Sequence, residues 1–267
     1  VYRVQGEAVT PYYQDEAVTL YLGDCADVWP LVTGVSLILT DPPYNVSARA
    51  VGGRANTTIG KVPRKDGTMR EIVRDFGDWD HDWQPEPFCQ AVAGVLRPSG
   101  ALVSFTSEFL FSAYLQTGLD HRALLFWRKS NPAPNFRKQI VRAMEMAVWQ
   151  TKGGGWTFNA GGYCPNVWDG PVINGFTCEN TNEQRWHPTQ KPEWLLNQWI
   201  TLFSNPGDLV ADFYAGSGTT LVCAKRLGRK AVGVEAQEQY CERIAKRLQQ
   251  GALDLFGNPA LNDGLAV

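Results

Sequence analysis

The stretch from Leu209 to Glu235 leaves the chain little choice of architecture. A short apolar run, Leu209–Phe213, enters a glycine-containing turn at Gly216–Thr220, and a helical pattern follows to about Leu227. Gly228 supplies a C-cap, and Lys230–Glu235 is a strand again. An earlier block repeats the alternation. Val35–Thr40 is β-branched, lacks polar alternation and stops at Asp41-Pro42-Pro43, as a strand buried on both faces would. Pro87–Arg97 has helical spacing and is closed by Pro98-Ser99-Gly100; Ala101–Thr106 and Ala123–Trp127 read as strands, and Glu238–Gln249 as a charged amphipathic helix. Strands alternating with helices predict an α/β fold with a doubly wound, mostly parallel sheet covered on both faces.

The 267 residues, 44% apolar, suffice for one core with an inserted region. No apolar stretch approaches the roughly 18 residues of a spanning helix. The first residues lack an apolar signal region, so the expectation is a soluble, cytoplasmic protein without a membrane partner. Cys25, Cys89, Cys164, Cys178, Cys223 and Cys241 are scattered, and His81, His121 and His187 stand at no ligand spacing from them, so no metal site is expected.

The net charge of −2 excludes a protein that is basic all over, but it is unevenly spread. Ser47–Arg74 carries seven Lys/Arg against two acids and reads as a flexible loop over 47–75. Arg128–Lys152 carries six against Glu145 alone, leaving −12 for the rest of the chain. Two basic segments on an acidic body fit a polyanion, although loops that merely collect solvated Lys and Arg would read the same way.

Three motifs carry chemistry. Asp41-Pro42-Pro43-Tyr44 follows a buried strand, where open α/β sheets bind ligands. The prolines stiffen the peptide and leave carbonyls free to accept. Asp41 adds a carboxylate and Tyr44 a ring, a set suited to the exocyclic amine of a planar base; an ordinary strand-ending turn uses similar residues. Asp212-Phe213-Tyr214-Ala215-Gly216-Ser217-Gly218-Thr219-Thr220 runs from strand to helix, with glycines for close backbone approach and free N–H groups at the helix start. Leu221 occupies the third-glycine position of the dinucleotide fingerprint, which disfavours an NAD oxidoreductase. Glu235 ends the next strand, where an acid can bind ribose hydroxyls. His187-Pro188-Thr189-Gln190-Lys191-Pro192 precedes the apolar-periodic Trp194–Phe203, and its hydroxyl, amide and ammonium suit a carboxylate.

In this order the motifs resemble the permuted β group of the S-adenosylmethionine-dependent DNA amino-methyltransferases, over roughly Val18–Leu248. The resemblance implies a Rossmann-like, circularly permuted fold with S-adenosyl-L-methionine as cofactor and double-stranded DNA as partner, and it allows a homodimer. It divides the chain into a catalytic half at 18–127, a target-recognition region at 128–186, a cofactor-binding half at 187–250 and a tail at 251–267. Asp41, Pro42, Pro43 and Tyr44 would be catalytic. Asp212 through Thr220 would line the cofactor, with Glu235 on its ribose, His187, Thr189 and Lys191 at its carboxylate end, and Asp24 of Gly23-Asp24 at its adenine. Trp127, ahead of Lys129 and Glu145 in a W-x-K pattern, would help sandwich the target base beside Tyr44, or else sit in the core. Arg49, Arg54, Lys61, Arg64, Lys65, Arg137, Lys138 and Arg142 become candidate DNA contacts.

One departure stands out: Phe213-Tyr214 replaces the family's Pro-Phe, and the added hydroxyl needs a partner. The implied activity is methyl transfer to adenine N6 after base flipping. The alternatives are N4-cytosine methylation, where Ser is common in the place of Asp41, and a SAM-binding DNA reader without turnover.

Overall fold

The computed structural model describes residues 9–44, 57–63, 68–74, 83–132, 140–173, 187 and 189–254. Its elements in chain order are β1 (Tyr13–Gln14), β2 (Val18–Leu22), α1 (Cys25–Val28), β3 (Val35–Thr40), β4 (Thr57–Pro63), β5 (Met69–Arg74), α2 (Pro85–Val95) and β6 (Leu96–Thr106). Then follow α3 (Phe111–Tyr114), β7 (Asp120–Lys129), β8 (Met144–Thr151), β9 (Val167–Gly170), α4 (Glu193–Phe203), β10 (Leu209–Asp212), α5 (Thr219–Arg226), β11 (Lys230–Glu235) and α6 (Glu238–Asp254).

Nine strands form one sheet in the order β1-β2-β11-β10-β3-β6-β8-β7-β9. The run from β2 to β6 is parallel throughout. All six residues of β3 are buried, which explains why its letters lack a polar residue at every second place. Leu37 and Leu39 face a core shared with Trp199 of α4, Leu221 of α5 and Ile244 of α6. Ile38 faces the opposite core, with Val28, Phe88 and Tyr114 from α1, α2 and α3. Among the described residues no helix is long and apolar enough to cross a membrane.

Local chemistry sets the element ends. Asp24 caps α1 by accepting from the Ala26 amide at 2.8 Å. Pro85, not Pro87, opens α2, and β6 begins directly after it at Leu96. The pairing with β3 jumps from Val35↔Leu96 to Leu37↔Ala101, so the expected Pro98-Ser99-Gly100 turn is a bulge inside the strand. β10 stops at Asp212, one residue short of Phe213, and α6 continues past Gln249 to Asp254.

Two expectations about the basic segments change. The stretch read as a loop over 47–75 contains an antiparallel pair, β4 with β5, whose β-branched residues form strands without a period-2 apolar pattern. The described strands of the stretch read as an inserted recognition region, 128–186, belong to the main sheet: β8 lies between β6 and β7, and β9 forms the edge beside β7.

The connection from β3 leads through α2 to β6 on one side, whereas β10 leads through α5 to β11 on the other. Adjacent strands whose connections diverge leave a crevice at their carboxyl ends. The Asp41 and Gly216 loops both open into it.

Candidate active site

A cleft of about 960 Å³ occupies this crevice, and both loops line it. Thr40, the last residue of β3, donates to Asp212 Oδ1 at 2.7 Å and ties the two strand ends together. The Tyr214 amide donates to the same oxygen at 3.1 Å. Burial pushes the Asp212 carboxyl up to about 6, against the donors Thr220, Thr40 and Tyr214. Asp212 thus clamps the glycine turn to the end of β3.

The turn is built mainly from backbone. Gly218 adopts φ +70° and immediately precedes α5; a Cβ there would lie 2.8 Å from Ile244 Cγ2. At Gly216 a Cβ would approach the His187 ring at 3.2 Å. The His187 ring packs edge-on against Tyr240 at 4.6 Å, while the Thr189 hydroxyl lies 3.3 Å from its Nδ1. Ser217 and Thr219 share a 2.8 Å hydrogen bond, and Arg247 holds the turn from behind through the Ser217 carbonyl at 3.0 Å.

Glu235 closes this side. Its Oε2 accepts from the Gly216 amide and its Oε1 from the Gln237 amide, each at 2.9 Å. Burial nevertheless raises its carboxyl to about 7. Asp24, capping α1, also lines the cleft. Phe213 and Ala215 are buried but reach the cleft wall. The Tyr214 hydroxyl finds its partner in Trp83, whose indole N–H donates to it at 2.9 Å, with Cys25 Sγ at 3.3 Å. Phe88 stands edge-on to Tyr214 at 5.7 Å. This aromatic wall suits a flat heterocycle.

Across the cleft the chemistry is carried by charged side chains. Asp41 and Pro43 line the cleft, and Pro42 and Pro43 are both buried. The Tyr44 hydroxyl donates to Asp41 Oδ1, and Lys191 donates to Asp41 Oδ2. Lys191 is only 7% exposed; it lies 3.3 Å from Glu145 Oε2, and Lys129 pairs with Glu145 Oε1 at 2.6 Å. Burial raises the Asp41 carboxyl, and the neighbouring Lys191 only partly offsets it. Glu145 ends below its ordinary value because Lys191 and Lys129 together outweigh its burial. Lys191, expected at the cofactor's carboxylate end, lines the cleft and pairs there with Asp41 of the Asp-Pro-Pro-Tyr motif.

Trp127 goes to the core. It is 2% exposed, donates to the Gly170 carbonyl at 3.1 Å and packs edge-on to Trp194 at 6.2 Å. It does not line the cleft, because β6 and β8 lie between β7 and β3. Arg142 is exposed and faces Glu108 at 3.4 Å. Arg128 pairs with Asp169 at 2.5 Å, and Lys152 donates to the carbonyls of Ala93 and Leu96. The described cations of that basic segment thus meet acids or carbonyls distant in sequence. Arg49, Arg54, Arg64, Lys65, Arg137 and Lys138 lie outside the described residues, as does the side chain of Lys61.

Sequence reasoning did not name Trp29, Trp83, Phe88, Gln237 or Tyr240, which also line the cleft. The first three occur outside the motifs, on segments folded back over the strand ends. Tyr240 alone carried a local signal, as an aromatic one turn into α6 directly after Glu235.

The family described as DNA methylase, of the N6/N4 type, matches residues 35–247. The chain belongs to this family. Among curated relatives, the methylase is 30% identical to the type II methyltransferase M2.LlaDCHI of Lactococcus lactis subsp. cremoris, over 94% of this chain and 97% of that one. It is 29% identical to the type II methyltransferase M2.DpnII of Streptococcus pneumoniae, over 93% and 96%. Its fold matches the crystal structure of the M1.HpyAVI–SAM complex with a TM-score of 0.63 at 24% identity, covering 86% of this chain and 98% of that one. The cytosine-N4-specific PvuII DNA methyltransferase matches with a TM-score of 0.66 at 19% identity, covering 89% and 88%.

Proposed function

We propose that this DNA methyltransferase moves a methyl group from S-adenosylmethionine to the exocyclic N6 of adenine in double-stranded DNA. The observation that carries this reading is the pairing of Asp41 with a cation at the end of β3, in the same cleft as the glycine turn. The cofactor supplies a methyl group on a positively charged sulfur. The residues present fit it: a glycine cradle that side chains would fill, an aromatic wall for a flat base, and in Glu235 a half-buried carboxyl suited to hydroxyl donors.

An adenine amine is a poor nucleophile because its lone pair is delocalised into the ring. Asp41 and the Pro42 carbonyl would accept its two N–H groups, favouring a localised lone pair aimed across the cleft. Tyr44 would stack on the base once it has left the helix, at a cost of a few kcal/mol. Direct transfer requires no enzyme nucleophile, so catalysis rests on positioning and fixed charge. Asp before the two prolines, where cytosine-directed members often carry Ser, supports adenine. Arg49, Arg54, Lys61, Arg64 and Lys65, close after the motif in sequence, would clamp phosphates, and binding should weaken steeply with salt.

Nucleoside mass spectrometry on unmethylated DNA incubated with the protein and S-adenosylmethionine tests the reading. N6-methyladenine is expected. N4-methylcytosine would overturn the base assignment, and neither product would move the protein to a non-catalytic SAM-binding reader.

A further inference from the structure

We infer that Lys191 is the positioning cation of the methyl-transfer site: it orients Asp41 and keeps it an acceptor, and Glu145 in turn holds Lys191 in place. The inference rests on the reading of Asp41 as the group that receives the target amine.

The geometry is a row of alternating charge, Asp41–Lys191–Glu145–Lys129, drawn from four separate stretches of chain, with Lys191 buried and the other three half-buried. Lys191, just ahead of α4, reaches Asp41 after β3 and Glu145 on β8, and Lys129 ends β7. Its ammonium also lies 4.6 Å from the centre of the Phe105 ring, which helps keep water from its flank. Among the described residues, the other titratable groups facing Asp41 are Tyr44, which donates to it, and Tyr114 of α3 and Asp212 of β10, which interact through space.

Asp41 can receive an amine N–H only as a carboxylate. Protonated, it presents a donor to a donor. Burial and the negative Glu145 both favour protonation, and among the described groups Lys191 is the chief opposing charge. Each Asp41 oxygen keeps a second lone pair beside its internal donor, so the amine can enter without expelling Lys191. Without Lys191, Asp41 and Glu145 would face each other with only Lys129 to compensate, and Asp41, the farther from Lys129, would take the proton.

Steady-state methylation would be measured against pH for the wild type, Lys191→Met, Lys191→Arg and Glu145→Gln, with S-adenosylmethionine affinity determined by calorimetry and folding by thermal melting. Asp41 must be ionised, so kcat falls as pH drops through its pKa. Lys191→Met is expected to move that acidic limb up by at least about one pH unit and to lower kcat at pH 7 by roughly tenfold or more. Its cofactor affinity should stay within about threefold of the wild type, since its charge acts on Asp41 rather than on the cofactor. Lys191→Arg should retain the limb at reduced kcat. Glu145→Gln should leave the limb in place or lower it, because a negative neighbour of Asp41 is removed, while kcat falls through loss of Lys191 positioning. A collapse of cofactor affinity in Lys191→Met with an unmoved limb would overturn the inference and assign Lys191 to the cofactor. Should Lys191→Met fail to fold, a raised limb in Lys191→Arg or Glu145→Gln would overturn it as well. Wild-type enzyme that yields no methylated base would fail the proposed function instead, so the two failures are distinguishable.

Discussion

The two strand-end loops that share the cleft solve the same problem by different means. The loop after β10 is local and rests on backbone: Gly218 at φ +70°, the Gly216 amide on Glu235, and α5 starting at Thr219. The partners of its glycine backbone come mainly from the next strand and helix, while Thr40, Trp83 and His187 brace it from farther along the chain. The loop after β3 is assembled at long range, because Asp41 is completed by Lys191 and, behind it, Glu145. Backbone geometry suits a constant ligand, whereas a row of charges fixes a protonation state at one reacting atom. Changes on the first side should therefore act mainly on cofactor affinity and stability, and changes on the second on turnover and its pH dependence.

The largest effect that sharpens this contrast is expected from Asp41→Ala. Methyl transfer should fall on the order of a thousandfold as the amine loses its charged acceptor. Cofactor affinity by calorimetry should barely move; a comparable loss of affinity would erase the distinction between the loops.

A smaller effect of the opposite kind is expected from Gly218→Ala. The positive φ and the 2.8 Å approach to Ile244 should together cost about 1–3 kcal/mol. The melting temperature should drop and S-adenosylmethionine should bind roughly tenfold more weakly, with a pH profile that keeps its acidic limb. A moved limb would show that the glycine turn controls Asp41.

The smallest effect is a fraction of a proton. With its folded pKa raised to about 7, Glu235 contributes stability that is fully present below its unfolded value near 4.5 and is lost as pH rises through about 7. Hydroxyl donors from a bound ribose favour the ionised form, so S-adenosylmethionine binding at pH 6.5 should release protons. Calorimetry in buffers of different ionisation enthalpy measures this, and Glu235→Gln should remove most of the release. Equal release in that variant would point to Asp212, raised to about 6, instead.

Legibility in the sequence followed the range of the interactions. β11 was bounded correctly at Lys230–Glu235, and Gly228 ends the helix region with φ +73°, because short apolar runs and glycine caps are written in neighbouring residues. The Tyr214 substitution was visible too, but its compensation by Trp83 was not, since those two residues are far apart along the chain. Trp127 looked like a base-stacking aromatic from its W-x-K setting, and only the sheet order shows that it lies too far from the cleft. The basic segment at 128–152 reads as a polyanion face or as a set of solvated loops, and only the structure shows that Asp169, Glu108, Glu145 and two carbonyls meet its described cations.

From sequence alone follow the alternating α/β plan, the two ligand-facing loops and the chemistry that each loop can offer. All three depend on conformational preferences and functional groups that a few adjacent residues carry with them. Tertiary structure decided which charges face one another. Lys191 meets Asp41 and Glu145 because the end of β3, the start of β8 and the entry to α4 converge at one end of the sheet. Electrostatic pairing depends on separation in space and on burial, and neither is encoded by distance along the chain.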